Sequence, residues 1–179
     1  MSRIAATATG CLALFLAGCP SLPTASVESD AQAKTFATRP GVAQIYLYRN
    51  ENFGAGFKME VYLDGQEAAA TLAKTYVVLV VPPGPHRVGA SSGHNLSTVE
   101  VFAVPGQNYF VWQEIKFGME ADYLAPRTLL HVVDERTGEA GVRQCELVDA
   151  AAYQRAQLHC APGVARACYF GHCSCLEHH

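Results

Sequence analysis

The chain has 179 residues, and its 13 Lys and Arg against 16 Asp and Glu give a formal net charge of −3 at pH 7. This length favours a single domain, and a mildly acidic chain lacks the basic surface that nucleic-acid binding needs, so we exclude a nucleic-acid partner. Half of the residues are hydrophobic and 16% are charged, which excludes disorder throughout the chain and allows a packed core.

Residues 1–18 are predicted to be a lipoprotein signal peptide. Arg3 supplies one positive charge, and the apolar run that follows is too short to span a bilayer, which is typical of a secretory leader. The run ends in Leu16-Ala17-Gly18-Cys19, which resembles the lipobox of bacterial lipoproteins, where the leader is cut before the cysteine and the thiol carries the lipid. The resemblance implies lipidation of Cys19. An ordinary secretory leader, or a short anchor, with a coincidental cysteine is the alternative.

The resemblance also implies a cellular location. A diacyl anchor and an N-terminal acyl chain on Cys19 would hold the protein firmly to a membrane, because one acyl chain alone binds only marginally. Pro20 rather than an aspartate follows the cysteine, and resemblance to known sorting signals then implies the outer membrane. We therefore expect a lipid-anchored protein of the bacterial cell envelope, in the outer membrane and facing the periplasm.

Residues 19–41 are predicted to form a lipidated N-terminal tether. They are rich in Ser, Thr, Ala and Asp, they contain Pro20, Pro23 and Pro40, and they show no apolar periodicity. Such a composition is typical of a flexible linker that lets a domain stand off a membrane. A short helix over residues 27–36 is the alternative interpretation.

Residues 42–148 are predicted to form the folded domain, a small antiparallel β-sandwich. Met59, Val61 and Leu63 alternate with polar residues, which places them on one face of a strand. Asp64-Gly65 follows directly and supplies the φ > 0 positions of a tight hairpin turn. Alternation followed by a turn of this kind predicts a strand with one buried face.

The remaining strands are inferred from apolar runs and turn signals. Residues 76–81 are an unbroken β-branched and aliphatic run, which favours a central strand. Pro83-Gly84 and Pro105-Gly106 each join a fixed φ to a permissive glycine, as type II turns do. The other predicted strands are residues 42–48, 86–90, 98–104, 108–114 and 127–133.

Four further segments complete the prediction. Residues 66–71 are alanine-rich and fit either a strand or one helical turn, and residues 115–123 are predicted to be irregular. Residues 134–148 are expected to hold a short helix, and residues 149–157 a second one with Asp149 as its cap. The predicted fold class is therefore mainly β, with one or two short C-terminal helices.

A family resemblance follows from the order of these strands and turns. The chain carries Ala43-Gln44-Ile45-Tyr46-Leu47-Tyr48-Arg49, Val61-Tyr62-Leu63-Asp64-Gly65, Tyr76, Pro83-Gly84-Pro85-His86 and Val104-Pro105-Gly106-Gln107-Asn108-Tyr109-Phe110. This order resembles the bacterial lipoprotein family catalogued as domain of unknown function twenty-eight forty-six. It is similar, more loosely, to PEGA-type β-sandwich repeats. The resemblance implies the fold and brings no catalytic residue with it.

The sequence contains no assembled catalytic or metal motif. It lacks His-Glu-x-x-His, Gly-x-Ser-x-Gly and a separated pair of Cys-x-x-Cys, so we predict no catalytic residue, no metal site and no cofactor. His86 at a turn and His131 in an apolar strand are expected to be packed or surface side chains. Phe110 and Trp112 share a strand face, and this predicts either core packing or an aromatic surface for a glycan or a peptide.

Residues 149–179 are predicted to form a short helix and a Cys/His-rich tail. A high density of thiols and imidazoles suits a soft metal, but an exported protein meets an oxidising compartment in which thiols pair. The disulfide candidates are Cys145, Cys160, Cys168, Cys173 and Cys175. Several pairings are open, and a clip between Cys145 and Cys160 would close a short loop around the last helix.

Three functional hypotheses from different classes remain. A tethered sandwich without a catalytic constellation is best suited to offering a surface, so the first is a non-enzymatic binding or assembly module with an envelope protein or a glycan as its partner. The second is a thiol- or metal-handling lipoprotein that uses the C-terminal tail. The third is an unrecognised hydrolase.

Overall fold

A computed structural model describes residues 21–120, 123–158, 166–169 and 172–175. The predicted signal peptide and Cys19 lie outside the described residues. The helices and strands, in chain order, are α1 (Val27–Ala33), β1 (Ala43–Arg49), β2 (Met59–Leu63), β3 (Gln66–Thr71), β4 (Thr75–Val81), β5 (Gly84–Ser91), β6 (Leu96–Ala103), β7 (Asn108–Glu120), β8 (Tyr123–Val133), α2 (Glu135–Val142), β9 (Glu146–Leu147), α3 (Ala150–Leu158), β10 (Arg166–Tyr169) and β11 (His172–Cys175).

Two sheets form the predicted mainly β sandwich. The larger sheet has the strand order β8-β7-β1-β4-β9, the smaller sheet has the order β3-β2-β5-β6, and β10 and β11 make a separate hairpin. The described strand pairs are antiparallel except β1 with β7 and β4 with β9. Strand β1 therefore lies at the centre of the larger sheet. Strand β4, predicted to be central, has a long partner on one side only, because β9 contributes just a short pairing.

The core between the sheets is aliphatic. Ile45 and Leu47 of β1 lie in one buried cluster with Val61 of β2 and Val88 of β5. Burying an aliphatic side chain of this size contributes about 1.5–3 kcal/mol, so this cluster is a major source of stability. Alternation turns Tyr46 to the opposite face of β1, and every residue of the strand is buried. Both faces of β1 are thus covered, one by the smaller sheet and the other by helices.

The hairpin of β2 and β3 turns where the sequence predicts it. The φ angles of Asp64 and Gly65 are 51° and 83°. Two consecutive positive φ angles characterise a type I′ turn, which suits the twist of the flanking strands. Residues 66–71, ambiguous in the sequence, form β3 because the turn returns them along β2.

Strand β7 is longer than predicted. The prediction that residues 115–123 are irregular is wrong, because β7 continues to Glu120 and pairs with β8. Gly118 does not break the strand: a Cβ at this position would lie 2.7 Å from Arg127 Cδ, so the glycine makes room for that side chain. Beyond Trp112, where the pairing with β1 ends, β7 and β8 continue as a two-stranded hairpin.

The segment before β1 packs on the sandwich. The Ala25 amide donates to Leu147 O at 2.8 Å, α1 follows, and the Phe36 side chain is buried. The prediction of a tether that continues to residue 41 is therefore wrong for residues 25–36, and the alternative of a short helix over residues 27–36 is correct for Val27–Ala33. The physical reason is that paired backbone groups and a buried aromatic ring offset the entropy of ordering a polar segment.

Two helices follow the long hairpin, as predicted. Asp134 caps α2 by accepting a hydrogen bond from Thr137 N at 3.0 Å. Asp149 caps α3 by accepting one from Ala152 N at 2.8 Å, which confirms its predicted role. In the part of the chain that the structure describes, no helix has both the length and the apolar character needed to cross a membrane.

Candidate functional site

The outer face of the larger sheet carries five aromatic rings that we call the aromatic cluster: Phe36, Tyr46, Tyr48, Tyr76 and Phe110. The ring centroids of Tyr46 and Phe110 lie 5.2 Å apart in a stacked arrangement, and Phe36 meets both rings edge-on at 5.3 and 5.7 Å. Such pairs contribute about 0.5–1.5 kcal/mol each beyond the buried area. The aromatic cluster is therefore a second core that stabilises the domain.

The prediction of an aromatic surface at Phe110 and Trp112 is wrong for Phe110. Phe110 is 1% exposed because α2 lies directly over it, and a Cβ on Gly138 would overlap the phenyl ring. Gly141, one turn later in α2, permits the same close approach to Tyr48. Helix α2 therefore seals this face, and the core-packing alternative holds for Phe110.

Trp112 is partly buried and borders a groove of about 510 Å³. Asn50, Arg136 and Gln144 also line this groove. The indole ring lies 5.2 Å from the His131 imidazole, and its Nε1 is buried without an acceptor among the described residues. Of the two residues predicted to form an aromatic surface, only Trp112 therefore borders a groove.

The outer face of the smaller sheet is open and forms a trough of about 910 Å³, which we call the open trough. Its floor is Gly89 in the middle of β5. A Cβ there would lie 3.4 Å from Tyr62 Cβ on β2 and 3.5 Å from Leu96 Cδ1 on β6. Because Gly89 has no side chain, the space between Tyr62 and Leu96 stays empty. Three neighbouring strands thus create a concave surface.

The walls of the open trough mix charged and apolar groups. Arg87 Nη2 lies 3.3 Å from Glu100 Oε1, with both side chains mostly exposed, and Leu96 is 63% exposed. An exposed ion pair contributes only about 0–1 kcal/mol, so both charges remain available to a partner. Burial, together with a hydrogen bond to Glu60, raises the pKa of Tyr62 to about 12, which keeps its phenol neutral at physiological pH.

His86 fixes one end of the open trough. Its Nδ1 lies 2.8 Å from Asp64 Oδ2 and its Nε2 lies 2.9 Å from Pro82 O. A carbonyl oxygen and an ionised carboxylate can each only accept hydrogen bonds. The geometry therefore fits the imidazolium form of His86, which donates through both ring nitrogens. The bond to Asp64 raises the pKa of His86, and donation from the Arg87 amide and from His86 lowers the pKa of Asp64.

The contacts of His86 and His131 match the packed or surface roles that the sequence predicts. Both nitrogens of His86 are occupied, which makes it a packed side chain, as predicted. His131 is exposed, its Nε2 lies 3.1 Å from Glu114 Oε2, and its ring rests beside Trp112, so it is a surface side chain, as predicted. Within the described ranges, no three His, Cys, Asp or Glu side chains are grouped to hold a metal ion.

Cys145 is a buried thiol at the end of α2. Its Sγ donates to Gly141 O at 3.4 Å, and burial raises its pKa to about 12. A thiol with so high a pKa is a poor nucleophile at physiological pH. Cys160 lies outside the described residues, so the predicted clip between Cys145 and Cys160 stays a prediction.

Three further cysteines fall on the hairpin of β10 and β11. Cys168 pairs in register with Cys173, and Cys175 lies two residues further along β11. The strand period of two puts these three positions on one face of the hairpin and His172 on the other.

The open trough is a site that the sequence analysis does not single out. Its signal is the alternation within β5, where Arg87, Gly89 and Ser91 share one face and Val88 and Ala90 share the other. A glycine in a strand interior often marks a close approach of another group. Finding the trough from this signal also requires the register that places β2 and β6 on either side.

Comparison with known proteins supports one family. The family described as "Protein of unknown function (DUF2846)" matches residues 39–126. A Haemophilus influenzae protein described as "Uncharacterized protein" is 29% identical over 109 residues, which cover 60% of this chain and 65% of that relative. No solved structure matches the chain. Residues 39–126, which include the open trough, match this family, and the match confirms the resemblance to DUF2846 that the strand and turn motifs carry.

Proposed function

We propose that this protein is a lipid-anchored component of the bacterial cell envelope, and that its sandwich binds a partner protein through the open trough without catalysing a reaction. The observation that carries the binding role is a contrast between the outer sheet faces. Helices α1 and α2 cover the aromatic cluster, whereas on the smaller sheet α3 packs only against β3 and leaves the trough over β2, β5 and β6 concave and exposed. Tyr and Arg are enriched at the centres of protein interfaces, and Tyr62 and Arg87 both line the trough.

A protein segment fits the open trough better than a glycan. Arg87 and Glu100 present both signs of charge beside the exposed Leu96. A peptide with charged and apolar side chains can satisfy this mixture. A glycan would stack on the open face of an aromatic ring, whereas the Tyr62 ring is partly buried and its hydroxyl already donates to Glu60 at 3.0 Å.

The proposed anchor would hold the domain close to the membrane. The lipobox-like tetrad supports cleavage before Cys19 and acylation of its thiol, with the outer membrane as the site. The chain is bound to the sandwich from Pro23, whose carbonyl accepts from the Asp149 amide at 2.8 Å. Residues 20–22 can span only about 10 Å when extended, so the domain would lie near the bilayer rather than at the end of a long linker.

A photoreactive amino acid at position 96 tests the binding role in intact cells. Leu96 borders the open trough, and Val27, which is 80% exposed on α1 above the other sheet, is the matched control. We expect crosslinks to a defined envelope protein from position 96 and none to it from position 27. Crosslinks to glycan alone, or equal crosslinks from both positions, would contradict a protein partner at the trough.

Gly89→Leu fills the open trough without entering the core. The nearest neighbours of a Cβ at Gly89 lie 3.4–3.6 Å away, which is ordinary contact, so the backbone can accept a side chain there. We expect binding to weaken at least about tenfold, which corresponds to about 1.4 kcal/mol. Gly56→Leu is the matched control, since nothing lies within 4 Å of its Cβ position. Unchanged crosslinking in Gly89→Leu would exclude the trough.

The anchor is tested separately by mass spectrometry of protein extracted from membranes. An acylated N-terminal Cys19 is the expected product, and Cys19→Ala should leave the precursor uncut. An intact Met1 on the functional protein would refute the anchor. That result would not affect the binding proposal, because the crosslinks measure contacts at the trough and are independent of how the N-terminus is processed.

A further inference from the structure

The register of the hairpin of β10 and β11 selects one cysteine pair. Cys168 lies directly opposite Cys173. Opposed residues of an antiparallel pair have Cα atoms about 4.5 or about 5.5 Å apart, depending on their hydrogen bonding. Both values fall within the range of about 4.4–6.8 Å that a disulfide spans. We propose that Cys168 and Cys173 form a disulfide across this hairpin and that Cys175 remains a thiol.

The connection between the strands strengthens this assignment. Two residues separate Tyr169 from His172 in the sequence. In a hairpin with a two-residue loop, the residues that flank the loop form a hydrogen-bonded pair. Alternation then makes Cys168 and Cys173 a non-hydrogen-bonded pair, for which a Cα separation of about 4.5 Å is expected, within the disulfide range.

The other pairings among the cysteines that the structure describes fit the geometry less well. Cys168 and Cys175 are diagonal neighbours, with an expected separation of about 7–8 Å that exceeds the disulfide range. Cys173 and Cys175 lie two residues apart on one strand, about 6.6 Å at 3.3 Å per residue, which is the outer limit of that range. Cys145 is buried and hydrogen-bonded to Gly141 O, so it is a poor competitor for the thiols of this hairpin.

The oxidation is balanced by an external disulfide such as oxidised glutathione. The Cys168 thiolate attacks one sulfur of the glutathione disulfide and releases one glutathione thiolate. The Cys173 thiolate then attacks the mixed disulfide at Cys168 and releases the second glutathione. Two protein thiols lose two electrons and two protons, and one glutathione disulfide becomes two glutathione thiols. An oxidising compartment provides acceptors of this class.

Peptide mapping of the full chain tests the pairing. The protein is equilibrated with oxidised and reduced glutathione, alkylated in denaturant, and cleaved by trypsin after Arg166 and by chymotrypsin after Tyr169 and Phe170. We expect the fragment with Cys168 to stay joined to the fragment with Cys173 until a reductant is added. The alkyl group should then be on Cys175.

Two variants separate the possible outcomes. Cys175→Ser should keep the link, and Cys168→Ser should abolish it and leave Cys173 alkylated. A link that involves Cys175, or alkylation of all three cysteines after incubation with oxidised glutathione, would overturn the proposal. Alkylation of all three only after a chelator is added would also overturn it, because that result would show thiolates bound to a metal.

Discussion

The two outer faces of the sandwich are built from similar strands but differ in what they contact. On the larger sheet, α1 and α2 cover the aromatic cluster, and the Tyr46 hydroxyl donates to Ala33 O of α1 at 3.2 Å. On the smaller sheet, no helix crosses the open trough within the described residues, and β5 places Gly89 where a side chain would fill it. Large buried rings stabilise a fold, whereas exposed charges contribute little to it. One face therefore supplies stability, and the other is free to supply a binding surface.

The largest expected effect on stability comes from replacing a phenylalanine by alanine on each of the two outer faces. Phe36 is buried in the aromatic cluster, and Phe102 is 71% exposed on the outer face of the smaller sheet. Phe36→Ala should lower the free energy of unfolding by about 3–5 kcal/mol, because a buried ring is lost and a cavity remains. Phe102→Ala should change it by less than about 0.5 kcal/mol. Urea unfolding followed by circular dichroism measures both, and equal effects would contradict the contrast.

A single methyl group at the contact of α2 with the larger sheet should have the next largest effect. Alanine is normally preferred over glycine inside a helix by about 1 kcal/mol. At Gly138, however, a Cβ would overlap the Phe110 ring, so Gly138→Ala should destabilise the domain by about 1–3 kcal/mol. Gly56→Ala, with open space around its Cβ position, is the control and should stay near the wild-type stability. Stabilisation by Gly138→Ala would show that α2 does not lie tightly on the ring.

Local patterns in the sequence predict most of the sandwich. Alternating aliphatic residues and the Asp64-Gly65 turn act within a few residues, and they predicted β2 and its hairpin correctly. The prediction that residues 115–123 are irregular is wrong because the role of Gly118 depends on Arg127, which reaches it from the neighbouring strand. Phe36 was placed in a tether because the rings that bury it lie far away in the sequence.

The open trough depends on distant residues to a still greater degree. Tyr62, Gly89 and Leu96 belong to three strands, and only the register of those strands brings them together. The sequence instead indicates Phe110 and Trp112, whose shared strand face is compatible with either core packing or an aromatic surface. The sequence predicts a helix within residues 134–148 but does not show where it packs, and the glycines of α2 permit the close approach that buries Phe110. A helix that packs from elsewhere in the chain thus decides which face is a surface.

The smallest expected effect concerns the pH dependence of the contact between His86 and Asp64 at the end of the open trough. The pKa of His86 is raised by its hydrogen bond to Asp64, so the contact stabilises the fold fully below the unfolded histidine pKa of about 6.5. This stabilisation is lost as the pH rises through the folded pKa of His86. The pKa of Asp64 is lowered, so its own contribution is present above about pH 4 and is lost as the pH falls through its folded pKa.

The free energy of unfolding should therefore decrease as the pH rises above about 6.5, and His86→Gln should remove most of that decrease. His131→Gln is the matched control, because it changes a histidine of the larger sheet and leaves the contact between His86 and Asp64 intact. Urea unfolding between about pH 5.5 and 8.5 measures the slope for each variant. If His86→Gln kept the wild-type slope while His131→Gln removed it, the pH dependence would belong to the larger sheet. The open trough would then contribute no titrating group to stability, and the raised pKa of His86 would be refuted.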